Sequence, residues 1–151
     1  MNLSVYYVDA FTDKLFSGNP AAVIFSDLTD TLTMQNIAAE NNLSETAFIR
    51  EEGGIYHIRW FAPSCEIDLC GHATLASAYT YFNFINPGST ELEVHSTKNG
   101  SLKVILENDF LFLDFPADSL NTLNEDLIEK IIGIEPFEIY QGRDDILAIV
   151  N

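Results

Sequence analysis

A thiol and an imidazole flank a single glycine at Cys70-Gly71-His72. Side chains alternate between apolar and polar up to Cys70, which predicts an extended segment, and after Gly71 the apolar residues return at helical spacing. The first amide groups of a helix have no partners inside the helix, so this junction can bind an anion such as a carboxylate or a phosphate. His72 would then donate to the bound group or carry a proton. The alternative is a histidine that only bonds a neighbouring loop.

Glu45 is the second candidate for chemistry, because it stands where a predicted helix gives way to an apolar strand. A carboxylate that enters an apolar strand is costly to bury, and burial raises its pKa. A carboxylic acid tuned in this way can take and return a proton near neutral pH. The alternative is a glutamate at a strand edge that faces water.

Cys70 is expected to have a lowered pKa, because the N-terminus of a helix favours the thiolate. It could then act as an acid or base at a carbon centre, whereas the alternative is a buried thiol that serves as a small apolar side chain. Cys65 is interpreted as structural. No metal site is expected, because His57, His72 and His95 lack ligand spacing and the two cysteines lack the two-residue gap of a zinc knuckle.

The composition describes a globular and strongly acidic chain. Of its 151 residues 47% are hydrophobic, and 23 acidic residues against 7 basic ones give a formal net charge of −16. This charge argues against nucleic-acid and anionic-membrane partners, which bind through basic patches. Two cysteines make no disulfide framework, the N-terminus has the pattern of a strand rather than a signal peptide, and no apolar run is long enough to cross a bilayer. We therefore expect a cytoplasmic protein.

The order of the predicted elements indicates the α+β class. Glycine turns at Gly53-Gly54 and Asn99-Gly100 predict two hairpins, and Thr33 is expected to cap the first helix. The later, alanine-rich helix is apolar on nearly every side, so it should be buried with sheet around it. These features predict a curved, largely antiparallel, barrel-like sheet wrapped around a central apolar helix.

Three stretches of the chain form a set in their order and spacing, and together they resemble a known family. They are Val8-Asp9-Ala10-Phe11-Thr12 with Gly18-Asn19-Pro20-Ala21-Ala22-Val23, then Leu43-Ser44-Glu45-Thr46-Ala47-Phe48, and finally Arg59-Trp60-Phe61-Ala62-Pro63 continuing to Glu66-Ile67-Asp68-Leu69-Cys70-Gly71-His72-Ala73-Thr74. The set resembles the PhzF-like family of phenazine biosynthesis, which has the diaminopimelate epimerase-like fold. The resemblance covers the whole chain and is best over residues 3–85.

The resemblance implies an isomerase that needs no metal and no organic cofactor. Glu45 matches the glutamate that moves a proton between carbons of a small carboxylated substrate in the family. His72 and Gly71 match residues that help hold the substrate, with Ser44 beside them. Cys70 stands where amino-acid epimerases place one catalytic thiol, but no opposing second cysteine is available, so two-thiol racemisation is not expected. The motifs also make Cys70, Asn19, Ala73 and Thr74 candidate substrate-binding residues.

Members of the family have two similar halves that face each other across a cleft, in a chain nearly twice this length. A shift to polar composition after Pro116 predicts a boundary in this chain. Residues 1–116 are interpreted as the N-terminal half-domain, and residues 117–151 as a linker and the beginning of an incomplete second half-domain, with a helix over 125–132. The acidic residue that should face Glu45 from the second half is not found.

Three functions follow as alternatives. The first is an isomerase of this family, for which activity of the short chain by itself stays open. The second is a non-catalytic domain that binds a small carboxylate, and the third is a purely oligomer-forming domain. Because the family halves are pseudo-symmetric, pairing of two chains as a homodimer is a further hypothesis, and a light-scattering dilution series that shows only monomer would contradict it.

Overall fold

A computed structural model describes residues 2–123, 133, 136–143 and 145–150 of the chain. These residues belong to two compact units, Met1–Phe115 and Pro116–Asn151. Each unit is described by itself below. In the described part of the chain, no helix is long and apolar enough to cross a membrane.

The first unit is built on one mixed sheet with the strand order β1-β2-β3-β4-β6-β7-β8, and the short strand β5 also pairs with β4. Neighbours pair antiparallel except for β2 with β3 and β4 with β6, which are parallel. The predicted α+β class with a curved sheet is confirmed. The strands are β1 Tyr6–Ala10, β2 Asn19–Phe25, β3 Glu45–Glu52, β4 Ile55–Phe61, β5 Glu66–Ile67, β6 Glu91–Ser96, β7 Gly100–Glu107 and β8 Phe110–Asp114.

The sheet curves around a helix, α2, which spans Gly71–Thr80 and continues into a π-helical turn at Tyr81–Ile85. Strands β1 and β8 form the two ends of the sheet, and both contact α2, as do β2 and β3. A sheet whose two ends meet the same helix must be strongly curved. Helix α2 is buried on most sides, as its apolar composition predicts.

The buried hydroxyl groups on α2 all have hydrogen-bond acceptors. The hydroxyl groups of Thr74, Ser77 and Thr80 each donate to the backbone carbonyl four residues earlier, at 2.6, 2.6 and 2.9 Å. A buried hydroxyl without a partner would cost free energy, so these bonds explain how polar residues can line the centre of the fold.

The first helix, α1, spans Thr31–Asn41 and covers the opposite face of the sheet. It packs Met34 and Ala38 against buried side chains of β2, β3 and β4. The expected cap at Thr33 is wrong, because the N-cap is Asp30. Its Oδ2 atom accepts from the backbone N–H of Thr33 at 2.8 Å and from the Thr33 hydroxyl at 2.6 Å, and these bonds lower the pKa of Asp30.

Both predicted hairpins are confirmed. Gly53 and Gly54 have positive φ angles and join β3 to β4, which pair antiparallel from Thr46–Phe61 to Glu52–Ile55. Gly100, with φ +70°, begins β7 opposite Ser96 of β6.

The second unit contains a three-stranded antiparallel sheet in the order β11-β10-β9. The strands are β9 Asn121–Thr122, β10 Glu138–Gln141 and β11 Ile146–Ile149. Strands β10 and β11 match two predicted strands, whereas β9 lies in the stretch that was expected to be a polar linker. The helix expected over 125–132 lies outside the described residues.

Candidate active site

Glu45 and His72 come together because two helices end or begin beside the same part of the sheet. Helix α1 ends at Asn42 in a left-handed conformation (φ 51°), which turns the chain into β3, and Glu45 is the first residue of that strand. Ala21 of β2 pairs with Glu45 in parallel register. Helix α2, which starts at Gly71, places His72 in its first turn.

The two side chains meet in a largely buried position. Nε2 of His72 lies 3.1 Å from Oε2 of Glu45, and the side chains are 9% and 18% exposed. Their alignment does not make a hydrogen bond, and within the described residues both atoms are buried without another partner. Buried polar atoms are nearly always hydrogen-bonded in folded proteins, so a pair that is close but unbonded fits a site that a ligand completes.

Cys70 is the N-cap of α2 and is buried, with its sulfur 3.4 Å from Nδ1 of His72. Burial raises the pKa of this thiol to about 12, and the nearby charge of Glu45 acts in the same direction. The backbone amides of Ala73 and His72 lower the pKa by a smaller amount. The expectation of a thiolate at this helix terminus is therefore wrong, because desolvation outweighs the favourable amides.

Burial lowers the pKa of His72, while the negative charge of Glu45 and, by a smaller amount, the backbone of Pro20 act against that shift. The imidazole is consequently neutral at pH 7 and above, with one donor and one acceptor nitrogen. The alternative of a histidine that only bonds a loop is too narrow, because its two ring nitrogens lie beside Cys70 and Glu45.

The lowered pKa of His72 predicts a pH dependence of stability. The unfolded chain binds this proton first as the pH falls below about 6.5, the ordinary value, so the contribution of His72 to the free energy of unfolding decreases from there down to its folded pKa. Urea unfolding should be measured for the wild type and for His72→Gln between pH 7.5 and 5.5. As the pH falls, the free energy of unfolding should decrease more in the wild type than in the variant. A difference that stays constant across this range would contradict the prediction.

The remaining candidate residues lie on β2, just before β3 and on α2. Asn19 begins β2 opposite Ala10, and the exposed Ser44 directly precedes Glu45. Ala73 and Thr74 are fully buried, and the Thr74 hydroxyl is already bonded to the carbonyl of Cys70. The roles of Ser44, Asn19, Cys70, Gly71, Ala73 and Thr74 in substrate binding stay predictions.

Two neighbours of the site carry little signal in the sequence. A side-chain Cβ at Gly71 would lie 3.7 Å from the ring of Phe115 and 4.0 Å from Leu113, so the end of β8 and the residue after it line the start of α2. Both residues are far along the chain, where their apolar alternation indicates only a core. The Pro20 backbone at His72 was missed for a similar reason, although the turn signal at Ser17-Gly18-Asn19-Pro20 marks the place.

The donor atoms of Glu45, Cys70 and His72 all lie within 4.8 Å of one another. Cys70 and Glu45 approach opposite nitrogens of the ring, and one ion can take only one of these nitrogens, so the arrangement does not fit a single metal bound by all three. His57 and His95 face each other across β4 and β6 with ring centroids 5.8 Å apart, a contact that their sequence spacing did not indicate. Among the described residues, no third ligand type joins that pair.

The sequence of residues 8–127 matches the model of one protein family, described as phenazine biosynthesis-like protein. This match covers most of the chain. The chain belongs to the phenazine biosynthesis-like family. A Pseudomonas aeruginosa protein described as an uncharacterized isomerase is 43% identical over all of this chain and 58% of its own length.

Solved structures of the phenazine biosynthesis-like family have the same architecture. A PhzF family protein of Enterococcus faecalis is 42% identical and superposes with a TM-score of 0.87, over 100% of this chain and 58% of that one. A Pseudomonas aeruginosa protein described as a predicted epimerase is 18% identical over 87% of this chain and 50% of its own, and its TM-score of 0.71 shows the shared fold alone. The chain thus spans about 58% of the length of the first curated relatives that it matches.

Proposed function

We propose that this chain carries the proton-transfer site of an isomerase that acts at carbon on a small carboxylate substrate. The observation that supports this most is the buried pair of Glu45 Oε2 and His72 Nε2, which lie 3.1 Å apart without a well-aligned hydrogen bond. Relatives described as isomerases support the reaction class. The substrate, the independence from cofactors and the activity of this chain by itself belong to the proposal.

The proposed reaction is a proton shift. The ionised carboxylate of Glu45 takes a proton from a carbon of the bound substrate, the electron pair of the broken C–H bond moves into the substrate, and Glu45 returns the proton to another carbon. The product has the same atoms and charge as the substrate, so no oxidant or reductant is needed. The side chain of Glu45 is 18% exposed, so the abstracted proton can exchange with solvent before it is returned, which makes the reaction visible as deuterium exchange.

Two groups are suited to the negative charge of the substrate. The first amides of α2, which begins at Gly71, can bind the carboxylate, since helix N-termini stabilise anions. The neutral His72 can donate one hydrogen bond without carrying a charge that would attract the Glu45 carboxylate away from the substrate. We therefore propose that Gly71 and His72 bind the carboxylate of the substrate and that Glu45 transfers the proton.

The test is deuterium exchange by the chain in heavy water. A panel of small carboxylic acids with an acidic C–H bond, including amino acids with a neighbouring double bond, is incubated with the protein, and loss of the C–H signal is followed by NMR. Enzyme-dependent exchange in at least one compound is the expected result. No exchange above the protein-free reaction in any of them would overturn the catalytic proposal for this chain.

The second candidate function is a non-catalytic carboxylate-binding domain. It is favoured by the N-terminus of α2, whose first turn carries the neutral and nine-tenths-buried imidazole of His72. Calorimetric titration with the same panel of small carboxylic acids separates the two. Binding that is the same in the wild type and Glu45→Gln, together with no deuterium exchange in the wild type, supports this second function.

A further inference from the structure

The neutral imidazole of His72 can carry its one proton on either ring nitrogen. Nδ1 lies 3.4 Å from the Cys70 sulfur, and Nε2 lies 3.1 Å from Oε2 of Glu45. With the proton on Nε2, the ring offers a donor toward the carboxylate and the site. With the proton on Nδ1, a lone pair would face the carboxylate oxygens, and the two would repel.

The surroundings of Cys70 favour a thiol that donates. The side chain is 6% exposed, and burial keeps the group protonated. The backbone amides of Ala73 and His72 face the sulfur, although neither makes a capping hydrogen bond to it. Because these donors approach the sulfur itself, its hydrogen is free to point at an acceptor, and Nδ1 of His72 lies at hydrogen-bond distance. The Glu45 carboxylate is the competing acceptor in the same cluster.

We propose that Cys70 is a positioning residue whose thiol donates to Nδ1 of His72 and so keeps the ring proton on Nε2, where it faces Glu45 and the bound substrate. The inference rests on the proposed function, since the choice of tautomer matters only if a ligand binds beside Glu45. It gives the cysteine a role without thiolate chemistry and without a second cysteine. The geometry that supports it lies within the first turn of α2 and the start of β3.

The tautomer of His72 can be measured directly on the 151-residue chain by long-range ¹H–¹⁵N NMR of the imidazole rings at pH 7.5. The signals of His72 are assigned by their loss in His72→Gln. We expect the wild-type ring to be protonated on Nε2. In Cys70→Ala the ratio of the Nε2–H to the Nδ1–H form should fall by about 3- to 10-fold, the size of one ordinary hydrogen bond. Cys70→Ser keeps a donor and should restore the wild-type ratio.

Cys65→Ala is the matched control, because Cys65 is exposed and does not belong to the cluster of Glu45, Cys70 and His72, so the ratio should not change. A wild-type ring protonated on Nδ1 would overturn the proposal. An unchanged ratio in folded Cys70→Ala would also overturn it and would indicate that the thiol donates to Glu45 instead. If Cys70→Ala does not fold, a fall of the ratio in Cys70→Ser overturns the proposal, because serine is the better donor.

The outcome is independent of catalysis. If the proposed function fails, deuterium exchange is absent while the tautomer still depends on Cys70. If the positioning role fails, Cys70→Ala leaves the tautomer unchanged whether or not exchange occurs. Where exchange is found, its rate should fall in Cys70→Ala and recover in Cys70→Ser, with the larger change in kcat rather than KM.

Discussion

Replacing Glu45 by glutamine is expected to lower the rate of deuterium exchange into the substrate by about 10²- to 10⁴-fold, the usual contribution of a general acid or base. The amide has nearly the size of the carboxylic acid but cannot take a proton from carbon at neutral pH. His72 cannot replace it, because the proposed tautomer already carries a proton on the nitrogen that faces the site. The side chain of Glu45 is 18% exposed, so water has limited access to act in its place.

The measurement is the exchange rate of the best compound in the panel, compared with the variant Glu93→Gln as a control. Glu93 is exposed on β6, so the control makes the same change of charge away from the site. Calorimetric titration with the same compound should show that Glu45→Gln still binds within about threefold of the wild type, since less than 1 kcal/mol separates such affinities. A variant that retains more than a tenth of the exchange rate would rule out Glu45 as the proton-transfer group.

The candidate site shows what sequence patterns can and cannot establish. Glu45 at the start of a strand and His72 at the start of a helix follow from local patterns, and the structure brings the two side chains within 3.1 Å. The state of Cys70 could not be inferred in the same way. Its helix-terminal position argued for a lowered pKa, but the raised pKa comes from burial, which depends on the strands that surround α2.

The fold shows the same division between local and distant information. The hairpin at Gly53-Gly54 and the alternating burial along β6 are local, and the sequence predicts both. The parallel pairs β2–β3 and β4–β6 are joined through α1 and α2, which are the crossover connections that parallel strands require. The strand–helix–strand order in the sequence therefore indicates these two parallel pairs. The number of predicted hairpins, taken alone, favoured antiparallel neighbours.

Replacing Gly18 by alanine is expected to destabilise the chain by about 2–4 kcal/mol, from a strained backbone and a close contact that add together. Gly18 has a φ angle of +91°, and a Cβ atom there would lie 2.3 Å from the backbone oxygen of Ala10 and 2.8 Å from Cγ2 of Thr12. The backbone fixes the position of the added Cβ as well as that of the Ala10 oxygen, so no side-chain rotation can relieve this contact. Urea unfolding measures the loss as a change in the free energy of unfolding.

Gly88→Ala is the matched control for this prediction. Gly88 has a similar φ angle of +97°, but nothing lies within 4 Å of a Cβ added there, so only the backbone strain remains, about 1–2 kcal/mol. The excess loss in Gly18→Ala isolates the contact with the end of β1. Because β2 begins at Asn19 and the backbone of Pro20 lies close enough to His72 to raise its pKa, the same substitution should also displace the imidazole and change its NMR signals. Equal losses of stability in the two variants, with the His72 signals unmoved, would show that the chain absorbs the added methyl group without shifting β2.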